Sequence, residues 1–274
     1  MKKYIITIAF LAGLLITLSV LLYPFVANYV NSRSQTRVVT QYIDDVAAID
    51  DGRRQAILDE AHEYNMSLLR STSRFRPTDK EKARYLKQLD TDRGVMGILA
   101  ISKIDVSLPI YHGTDEGVLQ VGLGHMQGTS LPVGGAGTHA FITGHRGLPS
   151  SKLLSNLDKL GEGDIFTLYI LGETLTYRVD NIQTVEPHVV EALAIDPEMD
   201  HCTLVTCTPY GVNTHRLLVR GRRIETPLSA GWDALYADAK YLEKPLVILL
   251  FMAPVLPILM IAVIFICRKI RKRR

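Results

Sequence analysis

The sequence predicts a mainly β protein, in which a closed β-barrel with short helices follows a helical segment and is flanked by two transmembrane helices. From residue 94 to 226, short β-branched runs alternate with glycine and proline, a pattern typical of strands joined by turns. About 130 residues with strands at this density fit one barrel domain. Two uninterrupted apolar segments lie near the ends of the chain.

Six runs within 94–226 predict strands. A glycine in the stretch Leu-Gly-Glu-Thr, residues 171–174, predicts a tight hairpin turn between two of them. The predicted strands are 98–101, 138–143, 165–170, 175–179, 201–207 and 217–219.

The segment 31–93 is polar and contains few glycines. Its apolar residues recur at near-helical spacing, as in Ile43, Val46 and Ala47 and again in Ala61, Tyr64 and Leu68. We expect two or three helices here, which form a stalk and a lid-like surface segment.

The first apolar segment, 4–27, carries no charged residue and would span roughly 36 Å as a helix, enough for a bilayer core. Residues 1–30 are therefore predicted to be an N-terminal membrane anchor. The alternative is a cleaved signal peptide, although the apolar stretch is long for one and no clear cleavage site follows it.

The second apolar segment, 246–267, follows a connector, 227–245, and precedes a basic tail, 268–274. Basic residues also precede the first segment, so the positive-inside rule predicts that both termini are cytoplasmic and that the domain between the spans is extracytoplasmic. The net charge of +3 comes largely from this tail. It gives no indication of nucleic-acid binding.

The chain has three cysteines, Cys202, Cys207 and Cys267. Cys202 and Cys207 would lie roughly 16 Å apart on opposite faces of one strand, too far for a disulfide. Cys267 falls in the second apolar segment, so Cys207 is predicted to be a free thiol. With no Cys-x-x-Cys motif and eight scattered histidines, no metal site is predicted.

Cys207 ends an apolar strand beside a loop, a setting that presents a nucleophile. His145, in a Thr-Gly-His-Arg-Gly loop, is suited to act as general acid and base. Arg216 could hold an oxyanion or the substrate backbone. His215 is a rival base, but neighbouring strand residues face opposite sides, so His215 and Arg216 should not share one site.

These residues carry a resemblance to a known family. The Thr-Leu-Val-Thr-Cys stretch that ends at Cys207, together with Arg216 and the loop of His145, resembles the signature of sortases, the membrane-anchored cysteine transpeptidases of Gram-positive bacteria. Longer stretches are similar to class C, the pilin-polymerising branch. They are residues 108–114, 128–135, 143–149 and 207–221.

The resemblance implies that Cys207, His145 and Arg216 are the catalytic residues. It implies cleavage of an LPxTG-like sorting signal after threonine, a thioester on Cys207, and transfer to a lysine amine of the next pilin. No cofactor is implied, and the partners would be pilin subunits and the membrane.

One segment departs from the class C pattern. Class C sortases commonly carry a lid with an Asp-Pro-aromatic motif, but the corresponding stretch here reads Ser-Arg-Phe-Arg-Pro-Thr-Asp, residues 73–79. The hypothesis is that the lid stands open or uses a substitute such as Phe75 or Asp79. A solvated basic loop is the alternative.

Two other functions remain open. The chain could be a housekeeping sortase that attaches proteins to a cell-wall precursor, although the second span and the Thr-Pro-Tyr-Gly segment after Cys207 favour pilus assembly. It could also bind sorting signals without catalysis, but a binding module has no need for His145, Cys207 and Arg216 together.

Overall fold

The structure, a computed structural model, describes residues 2–71, 73–91, 93–187 and 191–227, and their side chains except those of residues 2–12, 15 and 191. Four α-helices and eight strands lie within these ranges, joined by short 3₁₀ turns at Ser102–Ile104, Leu157–Lys159 and Glu191–Leu193. The helices are α1 Lys2–Ala48, α2 Asp51–Leu69, α3 Asp79–Tyr85 and α4 Glu116–Val121. The strands are β1 Val95–Ile101, β2 Val106–His112, β3 Leu123–His125, β4 Thr138–Thr143, β5 Ile165–Ile170, β6 Glu173–Val185, β7 Asp200–Thr208 and β8 His215–Ile224.

The eight strands form a closed barrel in the order β1-β2-β3-β4-β7-β8-β6-β5. Two neighbouring pairs, β2 with β3 and β4 with β7, are parallel, and the others are antiparallel. The predicted barrel and its six predicted strands are confirmed. The sequence pattern missed β2 and the three-residue β3, and it shortened β6 and β8.

The β5–β6 hairpin is confirmed at the predicted turn. Leu171 and Gly172 occupy the two central positions, with φ of 47° and 88°, and Ile170 pairs with Glu173 on either side. Positive φ at both central residues is the turn geometry that matches the right-handed twist of paired strands.

The two faces of β7 have different surroundings. Cys202 and Leu204 belong to the main hydrophobic core inside the barrel. Val205 packs with Phe141 and Leu218 in a second, small apolar cluster. Because side chains alternate along a strand, Cys207 lies on the outer face together with Val205.

The helices before the barrel share its hydrophobic core. Val39, Ile43 and Leu68 are buried in the same cluster as the barrel interior. Tyr42 donates a hydrogen bond to Met96 O at 3.1 Å, and its hydroxyl accepts one from Leu171 N at 2.9 Å. The segment predicted as a stalk therefore packs against the barrel domain, because its apolar stripe finds a partner surface there.

The first predicted membrane span, 4–27, lies within α1. Among the residues that the structure describes, none of the helices is both long and apolar enough to span a bilayer. The second predicted span 246–267, the tail 268–274 and residues 228–245 of the connector lie outside the described residues.

Candidate active site

Cys207 lies near the end of β7, on the outer face of the barrel. It is a half-buried free thiol, whereas Cys202 is a fully buried one. Burial, followed by the negative charge of Asp200, raises the pKa of Cys202 well above its ordinary value. Of the two cysteines that the structure describes, only Cys207 is therefore suited to react.

Arg216 lies directly opposite Cys207 in the antiparallel β7–β8 ladder, so the two side chains share the outer face. Nη1 of its guanidinium donates hydrogen bonds to Asn213 O at 3.2 Å and to His215 O at 3.1 Å. Both acceptors belong to the chain immediately before Arg216. In the described part of the chain, no carboxylate lies within ion-pairing distance of Arg216.

His145 follows β4, which is the parallel neighbour of β7 on the side away from β8. Thr143 pairs with Val205, and Gly144 N then donates to Val205 O at 3.0 Å. Thr206 Oγ1 donates to Gly144 O at 2.8 Å. These bonds fasten the chain just before His145 to the end of β7. If the register of these bonds is extended by one residue, His145 lies opposite Cys207.

The imidazole of His145 has a carboxylate beside it. Its Nε2 is buried without a hydrogen bond and lies 3.4 Å from Oε2 of Glu116, at the start of α4. Gln120 Nε2 donates to the other oxygen, Oε1, at 2.5 Å. This hydrogen bond is the main reason that the pKa of Glu116 is lowered, and the positive charge of His145 is the second. The sequence pattern does not indicate Glu116, because 29 positions and two strands separate it from His145.

The loops that carry His145 and follow Cys207 are in contact. The Arg146 guanidinium lies 5.9 Å from the centre of the Tyr210 ring, and its Nη2 pairs with Asp158 at 2.5 Å. Gly147, at φ 78°, lies so close to Tyr210 that a Cβ there would be 3.1 Å from the ring. This contact links the two loops on either side of the thiol.

The described residues match a known domain. A sortase-domain family model matches residues 99–224. The crystal structure of sortase C1 from Streptococcus agalactiae is 49% identical in sequence and superposes with a TM-score of 0.67, covering 70% of this chain and 100% of that chain. The chain belongs to the sortase family.

Other sortases are similar over comparable lengths. Sortase C of Streptococcus pneumoniae is 41% identical, with a TM-score of 0.63, and the match covers 70% of this chain and 100% of that chain. Sortase D of Bacillus subtilis is 27% identical over 150 residues, which are 54% of this chain and 72% of that protein. This sortase is a cysteine transpeptidase, and its structural neighbours place it in class C.

A cavity of about 290 Å³ opens on the outer face of the sortase barrel, between strands β6, β7 and β8 and the β6–β7 loop. Val185, Leu218 and Thr203 on β6, β8 and β7 line one side, and Ala192 and Ala194 of the β6–β7 loop line the other. Val185 pairs with Arg216, at the level of Cys207. Thr203 precedes Cys207 by four positions, so the cavity extends about 13 Å along the strand.

The far end of the cavity is polar. His139 Nδ1 donates to Ala194 O at 2.7 Å, and its Nε2 accepts from Thr203 Oγ1 at 2.7 Å. Burial lowers the pKa of His139 to about 4, although the hydrogen bond to Ala194 O acts in the opposite direction. Arg220 forms a two-pronged pair with Asp180, both contacts at 3.0 Å.

The two lid candidates lie in different surroundings. Phe75 belongs to a turn, residues 73–76, that we call the strap; its ring is 42% exposed and lies beneath the Arg74 guanidinium at 4.8 Å. Asp79 is exposed at the start of α3, with its carboxylate 3.8 Å from Lys82 Nζ. Asp79 thus has its cationic partner within its own helix.

Three other histidines that the structure describes have hydrogen-bonding partners of their own. His125 bonds Ser130 O through Nε2 at 2.8 Å, and His112 bonds Gln88 O at 2.6 Å. The rival base His215 bonds Thr214 Oγ1 at 2.9 Å. No three His, Cys, Asp or Glu side chains of the described residues are arranged to hold a metal ion.

Proposed function

We propose that this sortase polymerises pilin subunits. It cleaves an LPxTG-like sorting signal after threonine, retains the pilin as a thioester on Cys207, and joins it to a lysine amine of the next subunit. The observation that carries this proposal is the common level of three residues on neighbouring strands. Cys207 on β7 and Arg216 on β8 share the outer face of the barrel, and His145 follows β4, the neighbour of β7 on its other side.

In the first half-reaction the Cys207 sulfur attacks the carbonyl carbon of threonine. A bond forms between Sγ and that carbon, and the thiol proton passes to His145. The tetrahedral intermediate then breaks the bond between the carbonyl carbon and the glycine nitrogen. The imidazolium of His145 returns its proton to that nitrogen, so the departing glycine leaves as a neutral amine.

In the second half-reaction a lysine amine attacks the thioester carbon. The new carbon–nitrogen bond forms an isopeptide, the carbon–sulfur bond breaks, and His145 takes the proton that the amine releases. That proton returns to the Cys207 sulfur. Each cycle therefore restores both Cys207 and His145 and consumes no cofactor.

Arg216 acts on the charge that develops in both steps. Its guanidinium is permanently positive and can donate a fork of hydrogen bonds to an oxyanion or to the donor backbone. The two carbonyls that Nη1 bonds, Asn213 O and His215 O, orient the group without neutralising its charge. Its position opposite Cys207 puts that charge beside the attacking sulfur.

The donor peptide extends from Cys207 into the cavity on the outer face of the barrel. A peptide in extended conformation advances about 3.3 Å per residue, so the 13 Å between the levels of Cys207 and Thr203 accommodates three to four residues. The leucine of an LPxTG signal is three residues before the threonine. It therefore falls between the levels of Leu218 and Thr203, against the wall formed by Ala192 and Ala194.

The choice of pilin over another acyl acceptor rests on the class C relatives. The Streptococcus pneumoniae sortase C, 41% identical over its whole chain, is described in terms of pilin substrate specificity. The same proposal includes two membrane spans at 4–27 and 246–267, with the barrel outside the membrane, as the charge distribution of the sequence predicts.

The test combines the purified full chain with a Leu-Pro-x-Thr-Gly peptide and two competing amines, a peptide with a pilin-type lysine and an oligoglycine. Mass spectrometry should show a thioester on Cys207 and then a lysine isopeptide. Preferential transfer to oligoglycine would instead indicate a housekeeping sortase. Peptide binding without any acyl-enzyme would indicate a non-catalytic module.

Two cysteine variants serve as a matched pair. Cys207→Ala should form neither thioester nor isopeptide while unfolding at the same temperature as the wild type. Cys202→Ala, which removes a buried thiol from the same strand, should still form the thioester. Thioester capture by Cys207→Ala would overturn the assignment.

A further inference from the structure

The strap, residues 73–76, lies between two helices that are both hydrogen-bonded to the barrel domain. Before it, Asn65 of α2 donates to Leu131 O at 3.1 Å and accepts from Leu131 N at 2.7 Å. After it, the Tyr85 hydroxyl of α3 bonds His125 and accepts from Gly113 N at 2.9 Å. Because these contacts are buried, they restrict where the turn between the two helices can lie.

The strap rests directly on the backbone of Gly128, in the loop between β3 and β4. A Cβ at Gly128 would lie 2.6 Å from Arg74 O and 2.8 Å from Phe75 Cδ1. Gly128 also has a φ of 91°, which L side chains rarely adopt. The strap can approach this closely only because residue 128 has no side chain.

Arg74 reaches from the strap to the β6–β7 loop. Its Nη2 donates to Leu193 O at 2.8 Å, across a sequence separation of 119 residues. The guanidinium also stacks on the Phe75 ring at 4.8 Å. The aromatic ring and the carbonyl together restrict the orientation of the Arg74 guanidinium.

Leu193 connects this contact to the donor cavity. Its side chain packs on the apolar cluster of Phe141, Val205 and Leu218. Its neighbours Ala192 and Ala194 line the cavity. His139 holds the same loop one position further along, at Ala194 O.

We propose that Arg74 is a specificity-determining residue: by holding Leu193 O, it fixes the Ala192–Ala194 wall of the cavity that accepts the donor peptide. The helical segment before the barrel thereby helps to select the side chain that lies three to four residues before the scissile bond. This inference rests on the proposed function, because it takes the cavity to be the donor site. It gives the strap a different role from a lid that covers the thiol.

A binding experiment tests this separately from the chemistry. Two fluorescent donor peptides, one with leucine and one with alanine at the first position of Leu-Pro-x-Thr-Gly, are titrated against the full chain carrying Cys207→Ala. In this background the dissociation constant does not depend on any catalytic step. The added variants are Arg74→Gln, Arg74→Lys and, as a matched control, Arg76→Gln, whose arginine is an exposed residue of the same turn.

We expect Arg74→Gln to weaken binding of the leucine peptide by about tenfold, the effect of one lost charge-assisted hydrogen bond. The preference for leucine over alanine should shrink, because a mobile wall contacts leucine less closely. Arg74→Lys should retain part of the affinity, and Arg76→Gln should match the parent protein. Gly128→Ala, which displaces the strap without altering a cavity residue, should reproduce Arg74→Gln.

Several outcomes would overturn the inference. Tighter binding in Arg74→Gln would mean that the strap obstructs the cavity, and an equal effect in Arg76→Gln would mean that only the net charge matters. Unchanged affinity and unchanged preference would remove Arg74 from recognition. A failure of the proposed function is a separate result. In that case the wild-type chain would bind the peptide normally but form no thioester.

Discussion

Cys207 and Arg216 pair directly across the β7–β8 ladder, and Val185 of β6 pairs with Arg216 from its other side. The thiol, the guanidinium and the edge of the cavity therefore lie in one row across three strands. Side chains directly opposite in an antiparallel pair have Cβ atoms about 5 Å apart. This row relates the proposed nucleophile to both its cation and the proposed donor site.

Replacement of Arg216 should reduce catalysis more than binding. We expect Arg216→Gln to lower kcat by roughly 10²–10³, the range for removal of one preorganised donor to an oxyanion. Arg216→Lys keeps the charge without the fork, so its kcat should fall less. The measurement is the rate of thioester formation with the Leu-Pro-x-Thr-Gly peptide.

The control for Arg216 is Arg222→Gln, an exposed arginine on the same face of β8 that pairs with His201 far from Cys207. Its rate should equal that of the wild type. If Arg216→Gln were equally active, Arg216 would have no part in the reaction.

Glu116 should assist His145. Glu116→Gln removes the negative charge 3.4 Å from Nε2, so the imidazolium that forms during acylation loses a stabilising neighbour. Because Glu116 is 70% exposed, we expect a modest decrease in kcat of about fivefold at low salt. Raising the salt concentration should slow the wild type towards the variant, since screening weakens the same attraction.

Asp115→Asn is the matched control for Glu116. Asp115 is an exposed carboxylate in the preceding position, and its side chain makes no capping hydrogen bond to α4. The variant should retain the wild-type kcat and salt dependence. An identical decrease in both variants would indicate a general field effect rather than a specific contact with His145.

Asn65 should contribute strongly to stability. Its side chain satisfies both the N–H and the C=O of Leu131 in a buried setting. Asn65→Ala leaves both backbone groups without partners, so we expect the free energy of unfolding to fall by about 2–4 kcal/mol. Urea unfolding measures this. Glu63→Ala, at an exposed position of the same helix, should change the free energy by less than about 0.5 kcal/mol.

Stability should decrease as the pH falls from about 6.5 to 4. Burial lowers the pKa of His125 and that of His139 to about 4, whereas a histidine in the unfolded chain titrates near 6.5. Within this window the unfolded state binds protons that the folded state does not. The free energy of unfolding therefore falls with pH, by about 3 kcal/mol for each of the two histidines. Above pH 6.5 both states hold neutral histidines, and this contribution is constant.

Urea unfolding at pH 7, 5.5 and 4.5 tests the pH dependence. His125→Gln can still donate to Ser130 O but does not titrate, so the pH dependence should be smaller by roughly the share of one histidine. A free energy of unfolding that stays constant from pH 7 to 4.5 would contradict the expected protonation of the unfolded chain.

Local patterns in the sequence predict much of this fold. The strands 138–143 and 165–170 coincide with β4 and β5, because long runs of β-branched and aromatic residues end at clear turn residues. The sequence does not predict β3, whose three residues include a glycine and a histidine. Such a short strand exists because β2 and β4 offer hydrogen-bonding partners on both sides.

Some residues of the candidate site can be predicted from the sequence, and others cannot. Cys207, His145 and Arg216 are predicted from their residue types and motifs. Glu116 and Arg74 are not, because their contacts cross 29 and 119 positions of sequence and no local periodicity records them. Phe75 is found in the strap as a partner of Arg74, an arrangement that the sequence alone cannot distinguish from a solvated loop.

The sequence by itself determined the barrel class and predicted the reactive side chains, since residue type, alternation and turn chemistry are local properties. The tertiary structure decided which residues meet. The parallel pairing of β4 with β7 brings His145 to the level of Cys207, and the buried contacts of α2 and α3 bring Arg74 to the β6–β7 loop. Both results depend on hydrogen bonds and packing between distant segments, which form only when the whole domain folds.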